Sequence, residues 1–248
     1  MKKLKVLMLV NPNAGLGEAP NKVFKMIQAL AVRGCEVTCF PILPAQELGA
    51  ENILQDEPER YDRIVIYGGD GTLNRVVSLM MEKKLDIPIG YIPGGTTNDF
   101  SKSFSTTSDL EEQCENIVNG KVFRFDVGSF NEKYFNYIAA FGAFTWTSYT
   151  TPREAKAILG YSAYIFNGIG TLGDSLSYRR HLRIEHDGET LEGDYIYGGI
   201  SNAESVGGMK FSFIQNSSLN DGVFEVILVH APDNAIEAGS AVADILRK

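Results

Sequence analysis

The most constraining feature of the sequence is a run of apolar residues that leads directly into three glycines and an acid. Residues 63–67 have the composition of a buried strand, and the run Gly-Gly-Asp-Gly-Thr follows at residues 68–72. Apolar residues then recur at helical spacing at Leu73, Val76, Val77, Met80 and Met81. A buried strand, a glycine-rich turn and an amphipathic helix in this order predict one unit of a parallel α/β sheet.

The same alternation of strand and helix patterns fills the first half of the chain. Strand-like runs occupy residues 5–10, 35–42 and 87–92. A helical stripe lies between the first two runs and consists of Val23, Phe24, Met26, Ile27 and Leu30. Gly34 is expected to end this helix, because glycine tolerates the left-handed conformation found at helix ends. Residues 1–127 are therefore predicted to form a three-layer α/β domain with a mainly parallel sheet.

Strand patterns dominate the second half. They occupy residues 122–127, 134–144, 182–186, 194–200 and 222–230. Asp187 and Gly188 form a strong signal for a two-residue hairpin turn. One helix is predicted to interrupt the strands, with Thr151 as its cap and Pro152 at its first position. Residues 128–248 are expected to form an antiparallel β-sandwich.

Composition and charge exclude several classes of protein. The chain has 248 residues and a formal net charge of −8, which disfavours nucleic-acid binding because a phosphate backbone attracts basic surfaces. No apolar run is long enough to predict a membrane span. The three cysteines, Cys35, Cys39 and Cys114, are an odd number without ligand-like spacing, so a reducing cytoplasmic compartment is expected. A membrane lipid would be reached by transient, peripheral contact through a local patch.

The glycine turn at residues 68–72 carries the strongest chemical signal. Glycines let backbone amides crowd an anion, and the N-terminus of the following helix adds partial positive charge. A carboxylate beside phosphates repels them unless a cation intervenes, so Asp70 indicates either Mg²⁺ or a proton-accepting role. The plainer interpretation is a tight strand–helix turn, which rarely needs three glycines around an acid.

Two further loops follow predicted strands in the same way. Residues 93–100 read Pro-Gly-Gly-Thr-Thr-Asn-Asp-Phe and bring a second carboxylate, Asp99, while residues 11–17 follow the first strand. Ligands of open α/β sheets bind beyond the carboxyl ends of the strands, where all three loops lie. The sequence has no P-loop and no nucleophile elbow of the hydrolases, and the dinucleotide-binding fingerprint Gly-x-Gly-x-x-Gly does not follow the first strand.

At these residues the chain resembles the bacterial diacylglycerol kinase family, which is related to sphingosine and ceramide kinases. The resemblance rests on residues 11–15, 68–74 and 95–100, and it continues through residues 125–128, 160–164 and 220–222. NAD kinases and phosphofructokinases share Gly-Gly-Asp-Gly-Thr but lack the Gly-Thr-x-Asn-Asp-Phe run.

The resemblance implies a fold, two ligands and a set of site residues. ATP would bind in a cleft between the two domains. Its predicted contacts are Asn11, Gly15, Gly68, Gly69, Asp70, Gly71, Thr72, Asn74, Gly95, Thr96 and Asn98. The predicted catalytic groups are an acidic network that organises Mg²⁺ and water, with two lysines nearby: Asp70, Asp99, Asp126, Lys102 and Lys156. A second, structural metal would be held by Asp221 and the backbone carbonyls of Ser218 and Val223, a donor set that suits a hard cation.

The sequence departs from the family pattern in three places. Arg75 stands where the family carries Glu, and it is expected to pair with a phosphate or with Asp70, or to signal altered activity. Residues 215–217 replace a Pro-x-Ala segment. The sequence also stops at Lys248, before the family's further strands and their catalytic Glu. Either it is a truncated product, or another group is expected to serve as base, for which Asp70 is the best candidate.

Other candidate groups have plainer interpretations. The aromatic residues Tyr134, Phe135, Tyr137, Phe141, Phe144, Trp146 and Tyr149 are expected mostly in the core of the β domain, with an acyl pocket as the alternative. Arg179, Arg180 and Arg183 are expected on a solvated strand edge, with anionic headgroups as the alternative. The three histidines lack metal-ligand spacing.

The predicted reaction is transfer of the γ-phosphoryl group of ATP to a lipid hydroxyl. Two other hypotheses stay open: a soluble small-molecule kinase similar to NAD kinases, and a catalytically silent ATP-binding protein. The lipid also stays open among diacylglycerol, a sphingoid base and a polyprenol, and so does formation of a homodimer.

Overall fold

The computed structural model describes residues 3–14, 19–43, 48–95, 98–104, 107–142, 179–202, 205–206, 209–210, 218–232 and 237. The chain divides into two compact units, Met1–Tyr137 and Ile138–Lys248. Within the described residues, no helix is long and apolar enough to cross a membrane. The domain boundary after residue 127 stays a prediction.

The first unit contains a four-stranded parallel sheet. Its strands are β1 (Leu4–Val10), β2 (Cys35–Pro41), β3 (Arg63–Gly68) and β4 (Ile89–Pro93). They lie in the order β2-β1-β3-β4, and every pairing is parallel. All four carboxyl ends therefore lie at one edge of the sheet, as the sequence predicts. The predicted strand limits differ from the observed ones by one or two residues.

Helices cover both faces of this sheet. They are α1 (Ala19–Val32), α2 (Ala50–Ile53), α3 (Asp70–Glu82), α4 (Asp99–Lys102) and α5 (Leu110–Asn119). Alternate residues of β1 contribute to two separate hydrophobic clusters: Val6, Met8 and Val10 pack with α1 and α5, whereas Leu7 and Leu9 pack with α2 and α3. Because β1 is buried on both faces, its sequence is a nearly continuous run of apolar residues. Gly34, with φ +82°, ends α1 as predicted.

The chain after α5 differs from the prediction. Residues 121–127 are irregular, although a strand is predicted at residues 122–127. Val122 is 60% exposed and Phe123 47% exposed, so this apolar run has not gained the burial that a paired strand provides. A short hairpin follows, formed by β5 (Gly128–Phe130) and β6 (Lys133–Phe135).

The second unit contains an antiparallel sheet. Its strands are β7 (Ile138–Gly142), β8 (Arg180–His186), β9 (Glu189–Ser201) and β12 (Glu225–His230), and β9 pairs with the other three. Two short strands, β10 (Ser205–Val206) and β11 (Met209–Lys210), pair with each other. The predicted division into an α/β part and a mainly antiparallel part is confirmed.

The hairpin between β8 and β9 is also confirmed. Asp187 and Gly188 have φ values of +47° and +84°, as the favoured two-residue hairpin turn requires at both central positions. The helix predicted from Thr151 lies outside the described residues, as do three of the aromatic residues: Phe144, Trp146 and Tyr149.

Candidate active site

Two of the glycine turns lie side by side at the carboxyl edge of the parallel sheet. Gly68, the last residue of β3, pairs in register with Pro93, the last residue of β4. The Gly94 amide donates to the Gly68 carbonyl at 2.8 Å. A Cβ added to Gly69 would lie 3.0 Å from the Cα of Gly95, so the two turns are in backbone contact. The predicted convergence of these turns is therefore present in the first unit.

The start of α3 leaves open space beside the glycine turn. A Cβ added to Gly71 would have no heavy atom within 4 Å among the residues that the structure describes. Gly69 caps the helix with extended backbone, and its carbonyl accepts from the amides of Thr72 and Leu73 at 2.9 and 3.1 Å. α3 has 13 residues, so its N-terminus carries the partial positive charge that favours phosphate.

Asn11 connects the first loop to this turn. Its backbone amide donates to the Tyr67 carbonyl at 2.9 Å, and its side-chain Nδ2 donates to Thr72 Oγ1 at 2.9 Å. Thr72 also packs tightly on Gly68, where an added Cβ would lie 2.6 Å from the threonine Cβ. Asn11, Gly68 and Thr72 thus fix the shape of the site, and their contacts with a nucleotide stay a prediction.

Asn98 closes the second turn with its own side chain. Its backbone is left-handed, with φ 49° and ψ 47°. Its Oδ1 accepts from the Gly95 amide at 2.7 Å, and its Nδ2 donates to the Gly95 carbonyl at 2.8 Å. Asparagine tolerates this backbone region better than most residues, and the paired bonds fix the conformation of the loop.

The Asp70 carboxylate faces the start of α4. Its Oδ2 accepts from the Asp99 amide at 3.0 Å, and its Oδ1 accepts from the Phe100 amide at 3.1 Å. Burial raises the pKa of Asp70 above its ordinary value, and the negative charge of Asp99 raises it further. The two amides and the positive charge of Lys102 act in the opposite direction.

Asp99 is almost completely buried, and both of its carboxylate oxygens have a donor. Its side chain is 2% exposed. Its Oδ1 lies 2.9 Å from Lys102 Nζ, and its Oδ2 accepts from the Tyr137 hydroxyl at 2.9 Å. The structure therefore brings together the predicted residues Asp70, Asp99 and Lys102. Sequence reasoning had placed Tyr137 among the aromatic core residues and missed this contact.

Asn74 and Asp126 occupy different surroundings. Asn74 Oδ1 accepts from the backbone amide of Asn136 at 3.1 Å, so part of its hydrogen-bonding capacity holds the chain after β6. Asp126 is half-buried, and its neighbours Phe125 and Val127 pack in the same hydrophobic cluster as Phe100 of α4. The segment that carries Asp126 thus lies beside α4, and its share in a metal network stays a prediction.

Arg75 and Tyr91 make contacts that sequence reasoning did not anticipate. Arg75 forms an exposed ion pair with Glu51 at 3.3 Å, so the structure assigns it neither to Asp70 nor to the glycine turns. The Tyr91 hydroxyl donates to the Gly68 carbonyl at 3.1 Å. Burial raises the pKa of Tyr91, which keeps its hydroxyl protonated and therefore a donor.

The predicted metal loop lies in the second unit. Asp221 Oδ1 accepts from the Val223 amide at 3.0 Å, and Ser218 Oγ donates to Asn220 Oδ1 at 2.9 Å. Gly222 has φ +77°, which this tight turn requires. Across the described part of the chain, no three His, Cys, Asp or Glu side chains form a metal-binding group. Three predicted site residues lie outside the described residues: Gly15, Thr96 and Lys156.

Comparison with known proteins shows which family the chain resembles. A family model for the diacylglycerol kinase catalytic domain matches residues 5–130. A diacylglycerol kinase of Staphylococcus aureus (strain bovine RF122) is 31% identical over 234 residues, which are 94% of this chain and 72% of the relative. The diacylglycerol kinase of strain JH9 is 32% identical over 238 residues, with the same coverage of 94% and 72%. A crystal structure of a diacylglycerol kinase from Bacillus anthracis aligns with a TM-score of 0.73 at 26% identity, over 100% of this chain and 80% of that one.

The fold, the glycine turns and these matches define a kinase, that is, a phosphotransferase with an alcohol group as acceptor. The chain belongs to the family of the diacylglycerol kinase catalytic domain. The resemblance inferred from the glycine turns and the Asn-Asp-Phe run is confirmed.

Proposed function

We propose that the protein is an ATP-dependent lipid kinase that transfers a γ-phosphoryl group to a lipid hydroxyl. The observation that carries the proposal is the contact between the turns at Gly69 and Gly95, beside the N-terminus of α3 and the carboxylate of Asp70. Backbone amides at such a helix start bind phosphates without needing a charged side chain. Membership of a kinase family supports ATP as the phosphoryl donor.

The residues present fit a nucleotide bound with a divalent cation. The open space at Gly71 can accept a phosphate group, and amides of residues 69–71 would hold it. Asp126 would supply an oxygen donor of the kind that Mg²⁺ prefers, which leaves Asp70 for proton transfer. When bound, Mg²⁺ would neutralise the charge that develops on the transferred phosphoryl group. Lys102 stabilises the same site indirectly, through its ion pair with Asp99.

Asp70 is our candidate for the general base. A raised pKa makes its carboxylate a better proton acceptor, and the Asp99 and Phe100 amides fix its orientation. In the proposed step the acceptor hydroxyl loses its proton to Asp70 as its oxygen bonds to phosphorus. The bond between the phosphorus and the ADP oxygen breaks in the same step, so charge and atoms balance.

A lipid acceptor is supported by the relatives, which are named diacylglycerol kinases. Diacylglycerol is accordingly the first acceptor to test, and transient contact with a membrane surface would supply it. The soluble alternative is a nucleotide acceptor such as NAD. A structural cation in the loop of Ser218, Asp221 and Val223 belongs to the same proposal, and cation-dependent thermal unfolding of Asp221→Ala tests it.

The function is tested by incubating the protein with Mg²⁺, ATP labelled in its γ-phosphate, and extracted lipids. Label that partitions into organic solvent, and that depends on Asp70, supports a lipid kinase. Asp70→Asn is expected to lose at least about a hundredfold in kcat, as removal of a positioned base does. Label that stays in the aqueous phase on NAD favours the soluble alternative. Binding of Mg·ATP without any phosphoryl transfer favours the hypothesis of a catalytically silent ATP-binding protein.

A further inference from the structure

The side chain of Asp99 is held by two donors that come from different parts of the first unit. Lys102 lies three residues along the same helix, whereas Tyr137 lies 38 residues away in sequence. Both bonds measure 2.9 Å, and the carboxylate that they hold is 2% exposed. A buried carboxylate with a donor on each oxygen is fixed in orientation, because losing either donor leaves an unsatisfied buried acceptor.

The backbone of the same residue holds the candidate base. The Asp99 amide donates to Asp70 Oδ2, and the Phe100 amide donates to Asp70 Oδ1. Both amides belong to α4, a helix of four residues. So short a helix is not stable by itself, and its position depends on the side chains that anchor it. Tyr137 is one of these anchors, because its hydroxyl holds the Asp99 side chain.

Tyr137 is itself held against α3, the helix that begins at Asp70. The amide of its neighbour Asn136 donates to Asn74 Oδ1 at 3.1 Å. One turn further along α3, Ser78 Oγ donates to the Tyr134 carbonyl at 2.9 Å. A closed ring of contacts results: Asn74 and Ser78 of α3 hold residues 134–136, Tyr137 holds the Asp99 side chain, and the Asp99 amide holds Asp70 at the start of α3.

We propose that Tyr137 is a positioning residue for phosphoryl transfer, acting through Asp99 on the Asp70 carboxylate. This inference rests on the proposed function and extends it to a residue without a catalytic motif. The Tyr137 hydroxyl acts on Asp99, whose helix supplies the two amides that hold Asp70, so we expect it to affect the orientation of the base and not the grip on ATP. Asp99 then acts by placing α4, and not as a second base.

The test is Tyr137→Phe, which removes one oxygen atom and keeps the ring. Turnover is expected to fall about tenfold, the rate equivalent of losing one hydrogen bond to a buried carboxylate. The KM for ATP should stay within about twofold, because the substitution is not expected to change the contacts that bind ATP before the reaction. Tyr134→Phe is the matched control: it lies on the same segment, and within the described residues its hydroxyl has no hydrogen bond.

A second measurement keeps the inference testable whatever the acceptor is. Hydrogen exchange of the Asp99 and Phe100 amides, followed by NMR, should accelerate in Tyr137→Phe and stay unchanged in Tyr134→Phe. Thermal unfolding of both variants establishes that they fold. Unchanged exchange and turnover in Tyr137→Phe, or equal losses in both variants, would overturn the inference. Absence of lipid phosphorylation by the wild-type protein would overturn the proposed function alone, since the exchange result does not depend on it.

Discussion

A Cβ placed on Gly95 would lie 2.5 Å from the Cα of Gly69. These two residues belong to turns that follow different strands, so their contact sets the distance between the two loops of the candidate active site. No residue other than glycine fits at position 95 unless one of the backbones moves.

The first prediction compares alanine at positions 95 and 71. Gly95→Ala should destabilise the protein by about 1–3 kcal/mol, the usual cost of overpacking against atoms that cannot move easily, and should abolish Mg·ATP binding by separating the turns. Gly71→Ala, whose added Cβ meets no described atom, should fold with undiminished stability but bind Mg·ATP more weakly. Urea unfolding and titration calorimetry measure the two quantities. Equal stability of the two variants would contradict the prediction.

The second prediction concerns the pH dependence of turnover. The pKa of Asp70 is raised by burial and lowered by the charge of Lys102, so Lys102→Met should raise it further. A base with a higher pKa is protonated at a higher pH, and the acidic limb of the kcat profile should move toward neutral pH. Lys25→Met, at an exposed position of α1, removes the same charge from a residue that is not among the groups shifting the pKa of Asp70, and serves as the control. An acidic limb that stays in place in Lys102→Met speaks against Asp70 as the base.

The third prediction concerns Arg75. Arg75 forms an ion pair with Glu51, and the two side chains are 58% and 41% exposed. Arg75→Ala should therefore change the free energy of unfolding by less than about 1 kcal/mol. The affinity for Mg·ATP should be unchanged, because the Arg75 guanidinium pairs with Glu51. Glu51→Gln removes the negative partner of the same ion pair and should change stability and Mg·ATP affinity as little as Arg75→Ala does. A loss of affinity confined to the Arg75 variant would instead indicate a phosphate contact.

The fourth prediction concerns the second unit. His181 lies 2.9 Å from Asp194 and 3.3 Å from Glu192, and these hydrogen bonds raise its pKa. Because the folded-state pKa lies above the unfolded one, the stabilisation is complete below about pH 6.5 and is lost as pH rises through the folded value. Urea midpoints of wild type and His181→Gln should differ most at acidic pH and converge at alkaline pH. A constant difference would show that the histidine acts by packing alone.

The architecture of the first unit could be predicted from the sequence because its central strands, β1 and β3, are buried on both faces. Such strands produce apolar runs with distinct ends, and the helices between them keep a clear periodicity. The same reasoning failed at residues 122–127, where apolar composition suggested a strand that the structure does not contain. Composition does not reveal whether a neighbouring strand is available to pair.

The site could be predicted only in part, for a similar reason. Glycine turns and acids that lie within a few residues of each other leave a local pattern, and Asp70 and Asp99 were found in this way. Lys102 was predicted only from the resemblance to the family. Tyr137 and Asn136 act across 38 and 62 residues through single hydrogen bonds. Contacts of this kind have no period and no spacing, so only the folded structure reveals them.

The two hydrogen bonds between Asn98 and Gly95 restrict which amino acid can occupy position 98. The side chain must present an oxygen to an amide and an NH₂ group to a carbonyl, while its own backbone stays left-handed. The carboxylate of aspartate would be repelled by the Gly95 carbonyl oxygen. Glycine has no side chain to make the two bonds, and the side chain of glutamine is one carbon too long. When all twenty amino acids are tested at position 98, only the variant with asparagine should keep its kinase activity.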